Sequence, residues 1–178
     1  MNKIQRISCG FRILFQLGFI LLPIFLLLSW IIGPQIQFGT SDWGMGFTAY
    51  PQNIQIGTPI SLSTRLLGFL VSLLPTLVMM YLLYCLMKLF SCYEHGQIFT
   101  LNTIYYIRNI GLTLLANVIV ESIYVVLINL VLTKSQTIYL NFSSSINLSV
   151  VVLALLIILN SWIMREGYQL HQEQQLTI

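Results

Sequence analysis

Polar and apolar positions alternate along this chain in long blocks. Four apolar runs, at about 13–32, 66–87, 110–132 and 146–164, are separated by polar stretches. A run of ~20 apolar residues matches the hydrocarbon thickness of a bilayer, so the pattern predicts an all-α fold of four transmembrane helices. The sharpest polar break is Tyr93-Glu94-His95-Gly96-Gln97-Ile98-Phe99-Thr100-Leu101-Asn102. It reads as the tip of a helical hairpin. Gly96 suits the left-handed position that closes a helix. Thr100 suits the cap of the next helix, with Phe99 before it and Ile104 four residues after it placed as a hydrophobic staple.

Both arms of this hairpin are expected to overrun the bilayer. The second helix continues through Lys88 to His95, about 12 Å beyond its span at ~1.5 Å per residue, and Thr100 to Asn109 mirrors it. On the returning arm Ile104, Ile107 and Gly111 share one helical face, and Asn102, Tyr105, Tyr106 and Asn109 share another. The expected result is a short helical-hairpin stub over 88–109.

The other connections are plainer. Residues 33–64 form a loop in which Gln35-Ile36-Gln37-Phe38 and Asn53-Ile54-Gln55-Ile56 alternate with period two and are expected to pair as a small hairpin. The rings of Trp30, Trp43 and Tyr50 suit the headgroup level. Pro23 and Pro75 each remove one backbone hydrogen bond inside a span and predict kinks. The first run is too long for a signal-peptide core, so it is expected to remain as a span. The tail, 165–178, is expected to continue the fourth helix past the membrane.

Composition makes the class firmer. Apolar residues are 57% of the 178, charged residues 7%, and mean hydropathy is +0.84. An average soluble domain is roughly 25% charged. Four spans and their connections account for the whole chain as a single membrane domain. The formal charge of +3 is scattered, which excludes a clustered basic surface for direct nucleic-acid binding. Lys3, Arg6, Arg12, Lys88, Arg108 and Arg165 fall on the side of the termini and the tip, against Arg65 and Lys134 on the other. By the positive-inside rule both termini and the tip lie in the cytoplasm and 33–64 lies outside.

The tip, read on through Ile107-Arg108-Asn109-Ile110-Gly111, resembles a segment of the bacterial membrane proteins grouped as domain of unknown function 2975. There an aromatic, one or two charged residues, Gly, a polar residue, an apolar residue, Phe, Ser or Thr, and Leu follow one another. Met164-Arg165-Glu166-Gly167 and the closing Glu173-Gln174-Gln175-Leu176-Thr177-Ile178 are similar to that family's ending. The chain departs at Asn102-Thr103, where members commonly carry an acid after the Leu. The resemblance implies a multi-pass protein of the bacterial inner membrane with no established activity. It also implies a small helix-turn-helix regulator as a partner.

Candidate chemistry is sparse. Cys9, Cys85 and Cys92 lie toward the cytoplasmic side, where thiols stay reduced. Cys92 and His95 form a C-x-x-H pair, short of the ligand number a metal site needs. They read as a packing cysteine and a helix-end histidine. No metal site, cofactor or catalytic set is expected, and the chain reads as a non-enzyme. The exception in the spans is Glu121, with Asn117 one turn before it and Tyr124 one turn after. An ionisable group at that depth costs about 2.5 kcal/mol or more and marks either function or an internal bond, for example to Tyr81. On the stub, Tyr105 and Tyr106 are the expected anchors for a protein partner, with Arg108 and Glu94 as a polar rim. The rival readings are a small transporter or channel with Glu121 and Asn117 on a polar path across a homo-oligomer, and an accessory subunit of a larger complex.

Overall fold

The computed structural model describes residues 3–32, 35–38, 45–48, 62–96, 100–132 and 147–176. Four helices carry most of these residues: α1 (Lys3–Ile32), α2 (Leu62–Glu94), α3 (Leu101–Leu132) and α4 (Leu148–Leu176). All four are long and apolar enough to cross a membrane. At 33 residues, α2 is about 50 Å long against ~30 Å of hydrocarbon. The helix is thus longer than a single span requires. Each helix also exposes large apolar side chains, such as Leu21 on α1, Leu70 on α2, Ile119 on α3 and Leu156 on α4. Such a surface fits a surrounding that is itself apolar.

In the first connection β1 (Gln35–Phe38) pairs antiparallel with β2 (Met45–Thr48), Gln35 opposite Thr48 and Phe38 opposite Met45. The period-two reading found β1 but chose the wrong partner for it. Only six residues separate β1 from β2, against fourteen to Asn53, and the shorter closure is cheaper by about 0.7 kcal/mol. Asn53–Ile56, Trp43 and Tyr50 lie outside the described residues.

Two compact units make up the chain. The first comprises Met1–Phe19, Val78–Val118 and Asn147–Ile178. Its core is Leu82, Cys85 and Leu89 from α2 against Ile107 and Ile110 from α3, with Ile157 and Met164 of α4 packed on them. Gly111 lets α3 and α4 approach closely: a Cβ there would stand 2.6 Å from Ile158 Cγ1 and 3.1 Å from the Ala154 carbonyl oxygen. Asn147 begins α4, its carbonyl accepting from the amides of Val150 and Val151 at 3.0 and 3.3 Å.

The second unit comprises Ile20–Leu77 and Ile119–Ile146. Trp30 is its centre, packed with Ile128, Leu26, Phe69, Val71 and Tyr124. The indole is buried, because Gly68 opens a slot that its six-membered ring fills. A Cβ on Gly68 would meet Trp30 Cη2 at 2.1 Å. Buried hydroxyls here bond to their own helix. Ser72 donates to the Gly68 carbonyl and Thr76 to the Ser72 carbonyl, each at 2.8 Å, which lets these two hydroxyls face the core, whereas the Trp30 indole Nε1 is buried with no hydrogen-bond partner among the described residues. Helices α1 and α2 run on through Pro23 and Pro75.

Candidate functional site

The hairpin tip is built by local capping chemistry. Gly96 has φ +75°, the left-handed conformation that costs other residues about 1–2 kcal/mol. Its amide donates to the Tyr93 carbonyl at 3.1 Å, one of the bonds that close a helix ending in this way. His95 adds a second closure. The Ser91 carbonyl can only accept, so His95 Nδ1 carries the proton and donates to it at 2.7 Å.

Across the tip Thr100 caps α3. The Ile104 amide donates to the Thr100 carbonyl at 3.1 Å, and the Thr103 amide reaches Thr100 Oγ1 at 3.4 Å. Thr103, fully buried, brings its own hydroxyl to 3.2 Å from Thr100 Oγ1. A hydroxyl thus occupies the position where a capping box places an acid. Of the expected staple, Ile104 is buried, and Phe99 lies outside the described residues.

One side of the returning arm packs and the other stays open. Thr103, Ile104 and Ile107 are buried, whereas Asn102, Tyr105 and Arg108 are exposed. Tyr105 is 53% exposed. Tyr106, edge-on to Tyr105 with centroids 5.7 Å apart, leans the other way and packs against the Leu82–Ile110 core. Asn109 is half-buried, and its carbonyl accepts the Thr113 hydroxyl at 2.7 Å.

Glu94 is engaged within the chain. Its carboxylate meets the Arg12 guanidinium at 2.7 Å. Beneath this pair Phe90 stacks on Phe11 at 5.2 Å and lies 5.5 Å from Phe15, with Tyr93 edge-on at 5.8 Å. The start of α1 is therefore fastened to the end of α2 by an aromatic cluster closed by an ion pair. Sequence reasoning missed this attachment. Its signal was the matched spacing of Phe11 and Phe15, one turn apart, with Phe90 and Tyr93, also one turn apart.

In the spans, Asn117 is half-buried and Glu121 is exposed. The described residues give Glu121 no hydrogen bond or ion pair. Tyr81 has its hydroxyl bonded with the Cys85 thiol. Among the described residues no three of His, Cys, Asp and Glu gather as metal ligands would.

Residues 47–178 match the family described as Protein of unknown function (DUF2975). The chain belongs to this family. For this DUF2975 protein the match takes in α2, the hairpin, α3 and α4, and leaves α1 with its Arg12 and Phe11 outside it. No curated protein and no solved structure matches the chain.

Proposed function

We propose that this DUF2975 protein is a non-enzymatic, multi-pass protein of the bacterial inner membrane. It binds a partner protein through its cytoplasmic stub and acts as a sensor or regulator, with a small helix-turn-helix regulator as the partner. Both termini and the α2–α3 hairpin lie in the cytoplasm in this reading, on the strength of the six-to-two bias of basic residues. The observation that carries it is the exposed Tyr105 on an arm whose opposite face, Thr103, Ile104 and Ile107, is buried. An aromatic held outward on a rigid helix loses little freedom on docking and is a favoured interface anchor.

A second reading rests on Glu121. An exposed acid on a span-length helix calls for a polar surrounding at that depth. A polar path across a homo-oligomer, as in a small transporter or channel, would supply it, and so would a neighbouring helix if the protein is an accessory subunit of a larger complex. Purification from membranes without crosslinking separates the readings. A soluble regulator should co-purify and be lost in Tyr105→Ala, while Tyr106→Phe, which keeps the ring in the core, should retain it. Retention of the partner by Tyr105→Ala, or recovery of self-oligomers alone, would overturn the stub reading.

A further inference from the structure

Two buried donors, one at the end of α1 and one at the start of α2, have no acceptor among the described residues. Trp30 is 5% exposed, and its indole Nε1 is buried without a hydrogen-bond partner. The Nε of Arg65 is buried and unpartnered in the same way. Both residues belong to the second unit. A buried N–H without an acceptor is costly, and folded chains keep few of them.

Gly68 brings the two donors to one place. The Trp30 ring lies against α2 by its six-membered edge: a Cβ on Gly68 would stand 2.7 Å from Cζ3 and 2.9 Å from Cζ2. Cζ2 is two bonds from Nε1. Arg65 is one turn before Gly68, a spacing that sets Cβ positions about 5–6 Å apart. It also lies on the inward side of α2, because Arg65, Gly68, Ser72 and Thr76 follow one another at helical spacing and the last three are buried. The Arg65 Nε, three bonds beyond its Cβ, is thus within reach of a group held at the indole N–H.

No acid described in this unit answers Arg65. Among the described residues the ion pair is Arg12 with Glu94. Glu121 is the acid described in the unit, but it lies two turns from Ile128 toward the hairpin tip, whereas Arg65 lies one turn from Gly68 away from it. Trp30 packs on both Gly68 and Ile128, so about 15 Å of helix separates the two charges.

We propose that Trp30 Nε1 and Arg65 Nε form a binding site for one oxyanion, a carboxylate or phosphate group. The chemistry of the donors selects this class. An indole N–H donates and does not accept, and a guanidinium offers donors alone with a fixed positive charge. Only a negatively charged acceptor answers both, and the planar fork of arginine matches the paired oxygens of an oxyanion. A soluble anion and a lipid headgroup share this chemistry. The site goes beyond the partner surface at Tyr105 and uses none of its residues. Most of the length of α2 separates Arg65 from the tip, which suits a ligand site kept apart from an output surface.

The indole N–H resonance of Trp30 in NMR spectra of the full-length protein, assigned by its absence from W30F, tests this. Sodium phosphate or sodium acetate, compared with sodium chloride at equal ionic strength, should shift it saturably. The indole of Trp162, 65% exposed on α4, should stay in place. Phosphatidylglycerol, compared with phosphatidylcholine, separates the sources: a shift with phosphatidylglycerol alone assigns the site to a lipid headgroup, and a shift with phosphate or acetate assigns it to a solute. R65Q, which removes both donor and charge, should weaken binding at least about tenfold. R65K keeps the charge without the Nε donor and should also bind more weakly, whereas R165Q, which removes an exposed cation on α4, should bind as the unchanged chain does. A Trp30 resonance indifferent to phosphate, acetate and phosphatidylglycerol, an equal shift of Trp162, or undiminished binding by R65Q and R65K would each overturn the assignment.

Discussion

Glu121 and Ile128 stand two turns apart on the same face of α3, yet Ile128 is fully buried against Trp30 and Glu121 is exposed. The face that packs at one level is uncovered at the other. Because Glu121 has no bond within the described residues to lose, Glu121→Gln and Glu121→Leu should both keep the thermal stability of the purified chain within about 0.5 kcal/mol. If Glu121 serves an assembly or a polar path, Leu should change the oligomer size or the solute movement that Gln preserves or merely reduces. Unfolding of the purified Leu variant would instead mean an internal bond.

Three glycines should respond to alanine with opposite signs. Alanine is the better helix former by about 1 kcal/mol, and at Gly167, where nothing lies within 4 Å, that gain should appear as a raised Tm. Gly68→Ala and Gly111→Ala should lower Tm, because overpacking costs about 1–3 kcal/mol and the added methyl meets the Trp30 ring or the α4 backbone. Combining Gly68→Ala with Trp30→Leu should recover part of the loss, and thermal unfolding of the four-member cycle measures the coupling.

The Arg12–Glu94 pair should matter less than the aromatic ring beside it. With side chains 37% and 23% exposed, the pair falls in the class worth about 0.2–1 kcal/mol, weakened by salt. Phe90 contacts three rings, each such contact adding about 0.5–1.5 kcal/mol to the burial it accompanies. Chemical denaturation should therefore find Phe90→Ala at least about 2 kcal/mol destabilising and Arg12→Ala below 1 kcal/mol.

Reporter fusions check the orientation. A fusion after His171 should report cytoplasm and one within Thr58 to Ser63 the exterior. An external C-terminus would remove the cytoplasmic stub from the account.

Much of the architecture was legible because it is written locally. A span is a run of apolar residues, and the tip is a glycine and a threonine whose capping chemistry acts within four residues. Gly96 and Thr100 could therefore be assigned from sequence alone. The remaining features depend on how helices pack, which no local pattern encodes. Tyr105 and Tyr106 are adjacent and chemically alike, yet only the packing of α3 on α2 turns Tyr106 into the core and leaves Tyr105 outside. Glu94 read as a free rim residue because its partner, Arg12, lies eighty-two positions away. The burial of Trp30 was hidden for the same reason: the slot that takes it is opened by Gly68 on another helix. The partner of β1 was missed because alternation marks strands but leaves loop length to choose between them.

The central claim is that a protein partner meets the stub at Tyr105, and a photoreactive amino acid at that position tests it most directly. Irradiation in intact membranes should give a discrete protein adduct from position 105, and none from position 123, where Ile123 is 50% exposed in the span. The same adduct from both positions, or lipid adducts alone from position 105, would contradict the account.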